Sequence, residues 1–178
     1  MIPIAAMKNS HAGRPGVVMG GGPSLEADLR QIPKDAILIA VNHHAFDYIV
    51  CADYTVFLDD ITRFTVPQED IRLLGGVLVS RQQESDVDLT GADWWHGTFS
   101  SHLATWLAGW MGCDPVLLAG MDCYQGERSE DADPRDNAYN TPLEEHLAGW
   151  REAFTKCPHP ERIKALSGPL VKIFGLFP

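Results

Sequence analysis

Positive charge is scarce in this sequence: 14 Lys and Arg stand against 24 Asp and Glu, a net charge of −10. An acidic surface repels the phosphates of a long polymer, which excludes broad DNA or RNA binding but leaves room for a local pocket around one small phosphate. No apolar run approaches the roughly 20 residues that a membrane helix needs. Residues 1–16, MIPIAAMKNSHAGRPG, lack the continuous apolar core of a secretory signal. Cysteine is sparse and scattered. Cys51, Cys113, Cys123 and Cys157 form no C-x-x-C pair, so a zinc knuckle and a disulfide frame both lack support and the expected location is the cytoplasm, with reduced thiols. There is no internal repeat and no low-complexity tract. Three catalytic signatures are also missing. The chain has no Gly-Lys-Ser/Thr ending of a P-loop, no G-x-G-x-x-G fingerprint and no G-x-S-x-G elbow.

What is present is a core. Hydrophobic residues make up 45% and charged residues 21% of 178, which excludes disorder as the main state. The length suits one domain on a prior of roughly 150 residues each. Short apolar runs punctuate the chain: residues 16–20 (GVVMG), 36–41 (AILIAV), 54–58 (YTVFL), 76–80 (GVLVS), 115–119 (PVLLA) and 162–166 (RIKAL). Runs that are apolar throughout suit strands covered on both faces. Helical patterns fall between them. One follows Ser24, a good N-cap with Glu26 and Asp28 in the first turn, and runs through Ile32 until Pro33 and Lys34 end it. Others cover residues 99–111, with Leu103, Trp106, Leu107 and Trp110 at helical spacing, and residues 142–156, with Pro142 in the first turn. Residues 81–95 read as polar and irregular, and residues 170–174 as a short apolar end.

Strands alternating with helices predict an α/β fold, a Rossmann-like and mostly parallel sheet with helices on both faces. The expected organisation is an N-terminal extension over residues 1–15 and one nucleotide-binding domain over residues 16–178. Residues 125–141, polar and rich in loop formers, read as a lid-like segment. In such a sheet ligands sit beyond the carboxyl ends of the strands, so the informative residues are those just after each strand.

The strongest local signal is GGGPSL after the first strand. Glycines let the backbone approach an anion, and a helix N-terminus offers N–H groups. Gly20, Gly21, Gly22, Pro23 and Ser24 are thus candidates for a nucleotide phosphate, against a ligand-free tight turn. Asn42 can donate and accept at a sugar or base edge, or simply form a turn. His43 and His44 are adjacent, and adjacent side chains rarely chelate one ion. Asp59 and Asp60 suit a ribose, a Mg²⁺ ion or a solvated turn. Trp106 and Trp110 read as core, whereas Trp94 and Trp95 are weaker candidates for stacking a ligand. Ser100 and Ser101 open a helix as caps or as an anion contact. His146, on the helix after the long loop, has the right chemistry for a general base, though most helix histidines are idle.

Taken together, GGGPSL, VNHH, YTVFLDD, FSSHLATWLAGWMGCDPVLLAGMDCY and the tail ALSGPLVKIFGLFP resemble the bacterial sialyltransferases of glycosyltransferase family 42. The resemblance runs from Gly16 to Pro178. The Gly-Pro-Ser-Leu opening is also similar to the DUF115 group of pterin diphosphokinase-like proteins. The first resemblance implies an enzyme that moves a sugar from a CMP-sugar to a hydroxyl acceptor without a metal or other cofactor. It implies that residues 20–24 cradle the phosphate, and that Asn42, Asp59, Ser100 and Asp122 belong to the nucleotide site. His146 matches a general base, while Tyr124 and Tyr139 match tyrosines that assist the departing phosphate. Departures are visible too. Gly21 stands where the family has asparagine, Asp59 also replaces an asparagine, and Phe99 and Ser101 replace a threonine and a glycine. The second resemblance implies Mg²⁺ and ATP, with Asp59, Asp60 or Asp122 on the metal. A third reading is a nucleotide-binding module without catalysis. Expected partners are a nucleotide or nucleotide-sugar donor and a small-molecule or glycan acceptor, with no nucleic acid, no membrane span and possible self-association.

Overall fold

The computed structural model describes residues 1–49, 51–64, 66–124 and 141–178. Its centre is a parallel sheet of six strands: β2 (Gly16–Met19), β3 (Ile37–Val41), β4 (Tyr54–Phe57), β5 (Val77–Ser80), β7 (Val116–Ala119) and β8 (Ile163–Ala165). Their order across the sheet is β5-β4-β3-β2-β7-β8, and every neighbouring pair is parallel. Short β1 (Ile2–Pro3) and β6 (Val87–Asp88) pair with each other in a separate ribbon. The helices are α1 (Leu25–Asp28), α2 (Gln68–Leu74), α3 (Ser100–Trp110), α4 (Leu143–Phe154) and α5 (Val171–Phe174).

Period-two alternation sorts the strand residues between two cores. Val18, Ile37, Ile39, Val41, Val56, Val79 and Leu118 share one face with Leu103 and Leu107 of α3 and Leu147 and Trp150 of α4. Val17, Met19, Ala40, Leu117 and Ala119 point the other way and meet Leu25 of α1. Phe57, Ile71 of α2 and Leu78 extend that second layer into a separate cluster. Both faces of the sheet are therefore covered, which is why the strands carry apolar residues at successive positions. Each fully buried Leu, Ile or Val stabilises by about 1.5–3 kcal/mol. Ile4 and Met7 are buried in the larger core, so residues 1–15 pack as part of the same body.

The exposed edge at β5 is closed by side chains. Asp86 Oδ2 accepts from Leu78 N at 2.9 Å, and Ser85 Oγ accepts from Ser80 N at 3.0 Å. These acceptors occupy donors that would otherwise recruit another strand. The short pairing of β1 with β6 and the helix α2 were not legible from the sequence. Two-residue strands carry no period, and QEDIRLL offers one buried side chain, Ile71.

The chain runs from β2 outward through β3, β4 and β5, then returns to the other side of β2 as β7 and β8. The reversal lies between β2 and β7. Residues 20–24 and 120–124 emerge there side by side, at the place where ligands bind in doubly wound sheets.

Candidate functional site

At the switch point the two strand ends are tied together. Gly20 N donates to Ala119 O and Gly22 N to Gly120 O, both at 2.9 Å. Ser24 does not cap α1 with its own side chain; its backbone is already helical, at φ −76° and ψ −12°. Instead Asp122 reaches across. Its Oδ2 accepts from Ser24 N at 3.0 Å and from Ser24 Oγ at 2.8 Å. A carboxylate thus takes the position at the start of α1 where a cap is favourable. A Cβ at position 22 would collide with that same Oδ2, so the glycine is required for the approach.

Behind Asp122 lies Asp28, only 1% exposed. From the sequence it is a first-turn acid favoured by the helix dipole. In the fold its Oδ2 accepts from Gly120 N at 2.9 Å, Ser167 Oγ at 2.9 Å and Ser24 Oγ at 3.1 Å. Four segments thus converge on one buried carboxylate: the first glycine loop, α1, the end of β7 and the end of β8. The Ser24 hydroxyl has one hydrogen and faces two acids, so it donates to one at a time.

On the other side of β2, Asn42 follows β3 in a left-handed conformation, at φ 56°. Its Oδ1 is buried and has no hydrogen-bond partner among the described residues. The His43 ring lies 4.2 Å from that of His44 and 4.9 Å from Phe64. Ser100 is buried and its hydroxyl accepts from Leu58 N at 3.0 Å, tying α3 to the end of β4. Asp59 is exposed. Asp60 accepts from the Thr62 backbone N–H at 2.9 Å and hydroxyl at 2.7 Å.

The residues after β7 also build an aromatic stack. Cys123 and Tyr124 are both left-handed, at φ 51° and 59°. Such a conformation is strained for side-chain-bearing residues and is held by its surroundings. Tyr124 lies over His146 with centroids 5.1 Å apart and planes 29° apart. Phe99, just before α3, is 6.0 Å from His146 and 6.4 Å from Tyr124. His146 itself is buried, at 4% exposure. The structure therefore brings together His146 of α4 and Tyr124 of the β7 loop. Tyr139 lies outside the described residues.

His102, on α3, supports this stack from below. Its Nδ1 accepts from Thr98 N at 3.3 Å, which leaves the ring proton on Nε2. That nitrogen is buried and has no hydrogen-bond partner among the described residues, and the ring stands edge-on to Trp150 at 4.6 Å. Burial, aided by repulsion from His146, pushes its pKa down to about 4, so the ring is neutral near pH 7. No local cue marks this residue: His102 sits in an apolar helical pattern whose other members are core. Burial likewise pushes the Cys123 thiol up to about 12, which leaves it protonated and unreactive.

Trp94 stacks on Trp110 at 4.8 Å with planes 3° apart, and Arg81 lies over Trp95 at 4.9 Å. Both tryptophans pack against the protein itself. Among the described residues, no group of three or more His, Cys, Asp or Glu is arranged to hold a metal ion. No helix among them is long and apolar enough to cross a membrane.

No family model and no curated protein matches this chain. Among solved structures it is similar to the MAf glycosyltransferase from Magnetospirillum magneticum AMB-1, with a TM-score of 0.43 and 15% identity. The match covers 74% of this chain and 28% of that one, so the chain spans a little over a quarter of that protein's length.

Proposed function

We propose that this protein is a nucleotide-binding transferase, and specifically a metal-independent glycosyltransferase that moves a sugar from a CMP-sugar to a hydroxyl acceptor. The observation that carries the reading is the His146–Tyr124 stack, 5.1 Å between centroids. It stands on the same four-residue turn whose Asp122 grips the glycine loop at 2.8 Å. An imidazole and a phenol are thereby fixed beside the switch point of a parallel sheet, where nucleotides bind.

On this reading Gly20, Gly21, Gly22, Pro23 and Ser24 form the floor of the donor site. Asp122 locks that floor, while Asn42, Asp59 and Ser100 line its far side. His146 takes the proton of the acceptor hydroxyl as it attacks the anomeric carbon, a role that is worth typically 10²–10⁴ in rate. The bond from that carbon to the nucleotide phosphate breaks, and Tyr124, together with Tyr139, donates hydrogen bonds to the departing phosphate. The buried, ring-lined surround of His146 excludes water that would otherwise hydrolyse the donor.

The test is a thermal-shift panel of CMP, CDP, UMP, UDP, AMP, ATP and GDP with and without Mg²⁺. A ligand that binds only the folded state raises Tm. A Mg²⁺-independent shift with CMP is the expected result, followed by loss of transfer from CMP-sugars in His146→Ala. A shift seen only with ATP and Mg²⁺ would replace this reading with a diphosphokinase. Binding of CMP with no turnover, unaffected by His146→Ala, would leave a binding module.

A further inference from the structure

The glycine loop is poorly placed to hold a phosphate with its own backbone. Pro23 has no N–H, and of the four N–H groups that remain in residues 20–24, three already donate, to Ala119, Gly120 and Asp122. The Ser24 hydroxyl is also engaged, with Asp122 at 2.8 Å and Asp28 at 3.1 Å. A phosphate approaching Ser24 would meet the Asp122 carboxylate, and like charges this close repel strongly in a partly buried site. Among the described residues, Gly21 N is the one N–H of the loop with no acceptor.

Gly21 is roofed by His44. A Cβ built at position 21 would lie 2.6 Å from Cβ, 2.7 Å from Cγ and 2.9 Å from Cδ2 of His44. No side chain fits there unless His44 moves away. The space that a loop side chain would fill belongs to an imidazole delivered from the end of β3. That ring is half-buried and rests on His43, which rests on Phe64, so its position is fixed by packing. Two residues before His44 in the chain, the Asn42 Oδ1 is buried and has no hydrogen-bond partner among the described residues. A buried acceptor in that state is unfavourable, and a ligand hydroxyl would satisfy it.

We infer that His44 is a ligand-binding residue of the switch-point crevice, donating a hydrogen bond to the phosphate of a bound nucleotide where the glycine-loop backbone does not. The inference builds on the nucleotide-binding reading above and names the group that recognises the phosphate. An imidazole is suited to this, since it offers an N–H in either tautomer and a second when protonated.

The experiment is calorimetric titration of the full chain with CMP and with cytidine, which differ only in the phosphate. The native chain binds CMP more tightly. In His44→Ala, and in His44→Phe, which keeps a ring over Gly21 but has no donor, CMP affinity falls about tenfold and cytidine affinity stays unchanged. If the alanine variant fails to fold, the phenylalanine variant carries the test. Unchanged CMP affinity in a folded variant overturns the role of His44 and leaves nucleotide binding standing. An equal loss for CMP and cytidine also overturns it, since the histidine would then only shape the crevice. No binding of CMP by the native chain overturns this inference together with the reading beneath it.

Discussion

Two clusters flank the turn after β7, and they are held by opposite kinds of force. On one side Asp122, Ser24, Asp28 and Ser167 form a polar latch, with Asp28 Oδ2 receiving three donors. On the other side Tyr124, His146, Phe99, His102 and Trp150 are held by ring contacts, with centroids 4.6–6.4 Å apart. Hydrogen bonds to a buried carboxylate are directional and fail together when one partner is lost. Ring contacts are individually smaller and tolerate small shifts. The latch therefore fixes where the strand ends lie. The stack holds Tyr124 and His146 beside them with more freedom to adjust.

The sharpest way to break the latch is Asp28→Ala. It leaves Gly120 N and the Ser167 hydroxyl without their acceptor inside the fold, while Ser24 keeps Asp122, and unfolding in urea should show a loss of about 4 kcal/mol. The next effect belongs to the stack and is read by pH. The pKa of His102 falls from 6.5 unfolded to about 4 folded, so the folded state binds fewer protons over that range. Its contribution is fully present above pH 6.5 and is lost as pH falls toward 4, for a total of about 3 kcal/mol. Urea midpoints measured at pH 7 and pH 4.5 should converge in His102→Gln, which keeps an acceptor for Thr98 N but does not titrate.

A third prediction tests whether the latch acts as a unit. Gly22→Ala drives a methyl into Asp122 Oδ2 and should cost about 2 kcal/mol. In the double variant with Asp122→Ala the two losses should sum to more than the measured value, because the collision with Asp122 is gone and only the one with Gly120 O, at 2.7 Å, remains; strict additivity would show that positions 22 and 122 do not touch. The smallest effect is Ser167→Ala. It removes one of the three donors that face Asp28 Oδ2, the one from Ser167 at 2.9 Å, and should cost about 1 kcal/mol by the same urea titration.

Much of the fold was legible residue by residue. GVVMG, AILIAV, YTVFL, GVLVS, PVLLA and RIKAL each hold a strand within a residue or two of the expected bounds. They are short, rich in β-branched residues and bounded by Gly, Pro or Asp. The helices from Ser100 and Leu143 were equally clear from their spacing. The helix after Ser24 was expected to run on through Ile32, but α1 stops at Asp28 and a 3-10 turn follows at Leu29–Gln31. Asp28 explains the change: its side chain turns inward to Gly120 and Ser167, an interaction that local propensity does not express.

The sequence by itself determined the layers, because burial on two faces demands apolar residues at successive strand positions, and that pattern is local. It also determined where to look, since residues after parallel strands gather at one edge. Only the tertiary structure decided how the pieces meet. Ser24 and Asp122 are 98 residues apart, and Asp28 and Ser167 are 139 apart. Gly21 meets His44 only because β2 and β3 are neighbours in register. Side-chain partnerships of that kind depend on strand order and register, which no local window of sequence contains.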